Sequence, residues 1–380
     1  MKLLHLNSYY AKRNFYKNLY DLQLKQGIDI KVYTPYNKKE YCNHDLGNYT
    51  ILDPIFSRYD RLIFYYKCWK YSRNLEKQLL INNFDLVHAH TLFSNGYIAY
   101  KLNKKYNIPY IVTVRNTDVN IFFKRMIFLR RLGINILMNA ERVIFISNTY
   151  KQQVLNQYIP SDSVESIKEK VEVIPNGVDK YWIEHINHSK TTYKNPIVLL
   201  YVGEINRNKN LETSCKAIKY LYDKGIHVSF KIIGKVIEKS ILNTISEYPF
   251  VNYKGTMLKE QLINEYQTAD IFIMPSITET FGLVYVEAMS QGLPVLYTRG
   301  QGFDQFFHEG VVGYSVNPTN AIEIAMKIMR ILERYKTISD NCILKCNIFN
   351  WNLIAEQYRE LYQTILSNYR TVEVHDKTIK

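Results

Sequence analysis

Pro275-Ser276-Ile277-Thr278-Glu279-Thr280-Phe281-Gly282-Leu283-Val284-Tyr285-Val286-Glu287-Ala288 is the stretch on which the reading of this chain turns. It follows the apolar run Ile271-Phe272-Ile273-Met274, which reads as a buried strand. It then passes into Leu283–Gln291, whose apolar residues recur at roughly helical spacing. Strand, polar turn and helix start therefore fall together, with Glu279 in the turn and Glu287 in the helix. The first backbone N–H groups of such a helix lack intrahelical partners and can hold an anion. The two carboxylates can accept hydrogen bonds from a polyhydroxylated ligand. An anion site flanked by hydroxyl acceptors suits a nucleotide sugar.

The remainder of the chain is of a kind that can build such a site. At 380 residues it suits two domains of ordinary size. Hydrophobic residues at 47% and charged residues at 22% mark a globular protein rather than a disordered one. No uncharged apolar run reaches the ~18 residues a bilayer span requires, and Met1–Asn7 reads as a first strand rather than a signal peptide. Cys42, Cys68, Cys215, Cys342 and Cys346 form no Cys-x-x-Cys pair and read as free thiols in a reducing compartment, with the cytoplasm as the default.

A net charge of +14 calls for an explanation. Thirty-three tyrosines with abundant Lys, Asn and Ile point to A+T-rich coding, which inflates Lys without functional cause. The competing explanation is an anionic partner. Nucleic acid is not expected, because zinc-finger spacing, basic heptads and RNA-binding signatures are absent. An anionic membrane face fits better, since cations alternate with large apolar residues in two places. Arg58 to Lys77 holds six basic and two acidic residues, and Ile121 to Asn139 holds Lys124, Arg125, Arg130 and Arg131 with no acid. Wound as helices, neither segment gives a clean basic stripe, and ordinary domain helices with snorkelling charges are the equal alternative to peripheral docking on the inner face of the cell membrane.

Strands and helices alternate from the start, which predicts a doubly wound α/β architecture. Strands are expected at Lys2–Leu6, Asp29–Tyr33, Asp85–His90, Tyr110–Val114, Arg142–Ile146 and Lys170–Ile174, with a helix over Asn14–Lys25. The first turn, Asn7-Ser8-Tyr9-Tyr10, lacks the glycine-rich dinucleotide fingerprint, which argues against an oxidoreductase. His90 stands at the carboxyl end of its strand, where such sheets place ligands, while His88 lies within the strand. Arg115-Asn116-Thr117-Asp118 arrives at the same edge, where Arg115 and Asp118 can hold an acceptor's hydroxyl or phosphate; the bland alternative is a surface ion pair. The polar, aperiodic stretch from His185 to Pro196 is the linker candidate, near residue 190. A second alternating series follows: strands at Ile197–Val202, Val228–Ile233, Val251–Tyr253, Ala269–Met274 and Pro294–Tyr297, then helices around Ala321–Tyr335 and Trp351–Tyr369 and a polar tail from Thr371. Arg207 and Lys209, in the turn before the helix from Leu211, are placed to neutralise a diphosphate.

Four motifs in order now resemble family 4 glycosyltransferases of the GT-B fold: Ile174-Pro175-Asn176-Gly177-Val178-Asp179, Val202 to Asn210, Glu279 to Glu287 with Phe281-Gly282-Leu283 inside, and Phe349-Asn350-Trp351 followed by Ala355-Glu356-Gln357-Tyr358. The resemblance implies two Rossmann-like domains facing across a cleft. Residues 1–185 would bind the acceptor and 186–351 the donor, with a C-terminal helix, about 352–380, crossing back to the first domain. It also implies retaining transfer of a sugar from a nucleotide-diphosphate sugar, a UDP-sugar being favoured, without metal or cofactor. The acceptor would be a glycan or lipid-linked, as in bacterial surface polysaccharide synthesis.

In that resemblance Lys209 and Arg207 hold the diphosphate, Glu279 contacts the donor sugar, and Glu287 the ribose. Backbone N–H groups around Phe281, Gly282 and Leu283 approach the sugar and phosphates. Glu279, Lys209, His90 and Arg115 are the catalytic candidates, and His90, Asn95, Arg115 and Asp118 the acceptor-side candidates. Glu204 stands where family members often carry arginine, and Arg115 where some carry a catalytic-site histidine. The other readings are a partner subunit that has lost its chemistry, a GT-B sugar-nucleotide epimerase and a phosphorylase; no lysine suits the last one's pyridoxal cofactor.

Overall fold

The computed structural model describes residues 1–12, 15–39, 45–61, 63–188 and 190–378. The alternating pattern resolves into two parallel sheets. The first comprises β1 (Lys2–Leu6), β2 (Asp29–Asn37), β3 (Thr50–Phe56), β4 (Leu86–Ala89), β5 (Tyr110–Val114), β6 (Arg142–Phe145) and β7 (Val171–Val173), in the order β3-β2-β1-β4-β5-β6-β7. The second comprises β8 (Ile197–Val202), β9 (Val228–Ile233), β10 (Val251–Tyr253), β11 (Ile271–Ile273), β12 (Val295–Thr298) and β13 (Gly313–Val316), in the order β10-β9-β8-β11-β12-β13. Central strands such as β5 and β11 are buried along their whole length, as strands covered on both faces must be. The strand order reverses between β1 and β4 and again between β8 and β11. At such reversals the turns leaving the strands diverge and open a crevice for a ligand.

Two strands escape the sequence reading. β3 lies at the sheet edge and contains Asp53 and Pro54, residues that a strand tolerates only at an edge or irregularity. β13 is likewise an edge strand of four residues.

Packing divides the chain into two compact units. Residues 1–146, 150–175 and 351–380 form the first, and 147–149 with 176–350 the second. The division therefore falls at Pro175/Asn176, earlier than the expected 185, and the stretch near residue 190 is not a free linker. Trp182 is fully buried in the second unit's core. Lys190 donates its backbone N–H to Ser339 Oγ (2.7 Å), and its ammonium caps carbonyls at the end of the helix Lys259–Thr268, including Gln267 O at 2.8 Å. Aperiodic polarity here reflects irregular chain tied down by hydrogen bonds.

The C-terminal helix, Trp351–Thr378, belongs to the first unit and runs through the segment expected to be a polar tail. It buries Trp351, Ile354, Ala355, Tyr358, Leu361, Tyr362 and Ile365, one face at helical spacing, against Tyr16, Leu19 and Tyr20 of the helix Tyr16–Lys25. The expected helix over Ile121–Asn139 is instead broken into a π-helical turn (Asp118–Phe123), a short 3-10 turn (Ile127–Leu129) and an α-helix (Arg130–Asn139). Cys68, Cys215, Cys342 and Cys346 are buried free thiols; Cys42 lies outside the described residues. Among the described residues no helix is long and apolar enough to cross a membrane.

Tyr362 ties this helix to the first sheet: its hydroxyl meets His88 Nδ1 at 2.8 Å and accepts from Gln23 Nε2 at 3.2 Å. Tyr362→Phe leaves both partners buried and short of a bond, so denaturant titration should show the first unit losing ~1–2 kcal/mol.

Candidate functional site

In the second unit two turns leave the strands flanking the reversal point. One follows β8 and runs through Gly203 to Asn210; the other follows β11 and runs from Met274 to Gly282. They are joined by Asn208. Its Oδ1 accepts from the backbone N–H and hydroxyl of Thr278 (3.1 and 2.7 Å), its Nδ2 donates to Thr278 O (2.9 Å), and its carbonyl accepts from Ile277 N (2.8 Å). Asn206 shapes the first turn by accepting from Lys209 N at 3.2 Å, and Asn210, in the left-handed region, donates to Pro275 O at 3.0 Å.

This double anchoring brings Lys209 Nζ to 2.6 Å from Glu279 Oε2. Both side chains are largely shielded, so the pair is stronger than one at the open surface. A third turn supports the second one from outside. Gln301 Oε1 accepts from Glu279 N at 3.0 Å, and Gly302 N donates to Glu279 O at 3.2 Å. A Cβ on Gly302 would lie 1.8 Å from Thr280 O, so only glycine permits this approach.

The chain enters the helix Leu283–Ser290 through Gly282, at φ +80°, where a Cβ would also strike the Tyr285 ring at 2.4 Å. Phe281 is buried against Phe303, Phe306 and Phe349, with ring centroids 5.3–6.2 Å apart. Its side chain is an anchor, so only its backbone can serve a ligand. Tyr285 donates to Met274 O (2.6 Å), pinning the helix to the end of β11. Glu287, one turn further along, accepts from Tyr266 OH at 3.0 Å. Burial pushes its carboxyl up to about 7, against the pull of that hydrogen bond. Arg207 and Glu204 are exposed on the first turn, and Glu204 Oε2 lies 3.4 Å from Asn206 Nδ2.

The acceptor-side candidates gather at the carboxyl ends of β4 and β5, but they form a buried knot. Asp118 accepts from the backbone N–H groups of Leu92 (3.1 Å), Phe93 (3.3 Å) and Arg115 (2.9 Å). Burial nevertheless raises its carboxyl to about 6, desolvation outweighing the hydrogen bonds. Arg115 Nε donates to His90 O (2.8 Å), and its guanidinium lies 5.0 Å from the Tyr16 ring centre. The expectation that His90 presents its ring to a ligand is not met: the residue is 1% exposed, and Nε2 meets His5 Nδ1 at 3.0 Å and Tyr20 OH at 3.2 Å. Asn95 is also buried, its Oδ1 accepting from Ser8 Oγ (3.1 Å) and Tyr71 OH (3.2 Å).

His5, His88 and His90 bring ligand nitrogens within 4.8 Å of one another. Both His88 nitrogens are engaged, by Tyr362 OH and by Thr113 Oγ1 at 3.0 Å, and desolvation holds all three imidazoles neutral. The trio is a buried hydrogen-bond network joining β1, β4 and the C-terminal helix.

An open feature of the first unit lies beside this knot: a cavity of about 440 Å³ whose wall includes Ser8, Tyr9, Phe64, Lys67, Phe122 and Asp118. It went unrecognised in the sequence because its walls come from five separate segments.

Two outcomes test these assignments. Asp118→Ala orphans three backbone donors in the core and should cost the first unit ~3 kcal/mol in a denaturant titration. Glu287 keeps its proton in the folded state at pH values where the unfolded chain has lost it, so its contribution to stability falls as pH rises from about 4.5 to about 7. The melting temperature of Glu287→Gln, relative to the parent, should therefore rise across that window.

With the geometry established, comparison with known proteins places the chain. Residues 14–181 match the model described as Glycosyltransferase Family 4, and residues 183–342 the one described as Glycosyl transferases group 1. The alpha-monoglucosyldiacylglycerol synthase of Acholeplasma laidlawii is 24% identical over 377 residues, covering 91% of this chain and 92% of its own. Among solved structures, sucrose-phosphate synthase from Thermosynechococcus elongatus superposes with a TM-score of 0.75 at 17% identity, covering 97% of this chain and 100% of that one. Anabaena HepE in complex with UDP-glucose gives 0.64 at 17% identity, covering 96% and 100%. Two matching family models that together span most of the chain, and two doubly wound parallel sheets, make this protein a family 4 glycosyltransferase of the GT-B fold.

Proposed function

We propose that the protein transfers a sugar, with retention of anomeric configuration and without a metal ion, from a nucleotide-diphosphate sugar to a glycan or lipid-linked acceptor in the assembly of a surface polysaccharide or glycolipid. The observation that carries this reading is the Lys209–Glu279 pair at the β8/β11 reversal, beside the start of the helix Leu283–Ser290. A cation and the first helical N–H groups suit the diphosphate and its charge, and a carboxylate in the same crevice suits the sugar hydroxyls. A uridine nucleotide is favoured, supported by the UDP-glucose bound in the HepE structure.

In this mechanism Lys209 leaves Glu279 for the diphosphate and stabilises the charge that grows as the bond from the anomeric carbon to the phosphate oxygen breaks. Arg207, exposed on the same turn, shares that task. Glu279 then accepts hydrogen bonds from the sugar, and Glu287 from the ribose. The acceptor oxygen bonds to the anomeric carbon on the face the phosphate leaves, and its proton passes to the departing phosphate oxygen, so no protein base is required. Arg115 and His90, locked in the first unit's knot, serve as positioning residues that hold the turn after β5. The cavity beside them takes the acceptor.

Lys209→Ala should lower kcat/KM by about 10²–10³-fold, the scale of removing one preorganised charge-stabilising donor. Glu279→Gln keeps the shape of the turn and should reduce turnover while donor binding, measured by calorimetry, persists. Wild-type turnover in both variants, an inverted product by proton NMR, or loss of activity on chelation that only added metal restores would each defeat the mechanism.

A further inference from the structure

We propose that one face of the first unit, formed by residues 58–60, 63–73 and 121–131, docks on an anionic membrane surface. This goes beyond the transfer reaction and does not depend on it. The helix Phe64–Gln78 turns Phe64, Cys68, Tyr71 and Leu75 into the core. Its other sides expose Tyr65, Tyr66 and Trp69, with Ile63 just before it, and Trp69 is 50% exposed. The broken segment after β5 exposes Ile121, Ile127 and Phe128, the last at 71%. The two segments meet where Phe64 lies edge-on to Phe122 at 6.0 Å, and both contribute walls to the 440 Å³ cavity. Single exposed apolar side chains are ordinary, but a group concentrated in two touching segments marks an interaction surface.

The charge on this face identifies the partner. Arg58, Arg73, Lys124, Arg125 and Arg131 are all exposed, and none forms a salt bridge among the described residues. The one acid within these bounds, Asp60, is already neutralised by Lys70 at 3.1 Å and accepts from Ser57 N. The face therefore offers positive charge with no uncompensated carboxylate. Cations also sit among the apolar groups, as Arg73 does 5.4 Å from the Trp69 ring centre. The core of a protein–protein interface is depleted of charge, whereas an interfacial surface mixes aromatic rings with long cations that reach lipid phosphates. The absence of a clean helical stripe is explained by the broken backbone: Lys124, Arg125, Ile127 and Phe128 lie before the α-helix begins at Arg130.

The test is sedimentation of the full chain with vesicles of phosphatidylcholine alone and of phosphatidylcholine containing phosphatidylglycerol. Binding is expected to the anionic vesicles only, and to weaken at least about tenfold when ionic strength rises from about 0.05 to about 0.5 M. The triple variant Trp69→Ser, Ile127→Ser, Phe128→Ser and the double variant Arg125→Glu, Arg131→Glu should each weaken it by about tenfold or more. Far-UV circular dichroism and nucleotide-sugar binding should be unchanged in both, which separates failure here from failure of the proposed reaction. No binding to anionic vesicles, or equal binding to neutral ones, overturns the proposal. So does a concentration-dependent dimer that these substitutions dissolve, which would assign the face to a second copy of the chain.

Discussion

The hydrogen bonds of Asn208 to the opposite turn are the constraint on which the meeting of Lys209 and Glu279 depends. Turns at the ends of neighbouring strands diverge by default, since each must enter a different helix. One side-chain amide, using both its oxygen and its nitrogen on Thr278, holds the two together. Lys209 follows directly in sequence and Glu279 follows Thr278, so fixing residues 208 and 278 sets the ammonium against the carboxylate. Gln301 and Gly302 fix the far side of the same turn. Lys209 and Glu279 thus stand on backbone held from three directions, the kind of support that an active site needs to keep reacting groups within a fraction of an ångström of their working geometry.

The two reversal points of the fold are used differently. In the second sheet the reversal leaves polar groups facing a crevice. In the first, Asp118, Arg115 and the carbonyl of His90 form a buried knot at the ends of β4 and β5, with histidines and tyrosines packed behind, and the cavity opens beside it. A buried network of this kind is rigid because every unmet polar group in it would be costly. It therefore suits a wall against which a substrate is held better than a group that exchanges protons with one.

The meeting of the two turns was legible in sequence because each is local: Lys209 lies within one turn, and Glu279, Gly282 and Glu287 fall together in the other and the helix after it. The alternating strands were legible for the same reason, since each buried strand is a short apolar run. What the sequence hid was relational. His90 stands at a strand's carboxyl end as expected and Asn95 in the first turn of the next helix, but nothing local says that His5, Tyr20 and Tyr71 close over them. The edge strand Thr50–Phe56 was masked by Asp53 and Pro54. The stretch around Lys190 looked like a linker because its order comes from bonds to Ser339 and Gln267, far away in sequence. The asparagines at 206, 208 and 210 were visible as turn formers, though not as the groups that hold one turn to another.

The C-terminal helix has a consequence for how the protein is made. Its apolar face packs against Tyr16, Leu19 and Tyr20, made well before it, and the helix itself follows the whole of the second unit in synthesis. The second unit can complete its core as it emerges, while the first must wait with one face uncovered. At ordinary elongation rates of about 5–20 residues per second the delay lasts ~10–40 s. During that time the part of the first unit already made is the one most in need of a chaperone, and a helix made after the second unit closes its core.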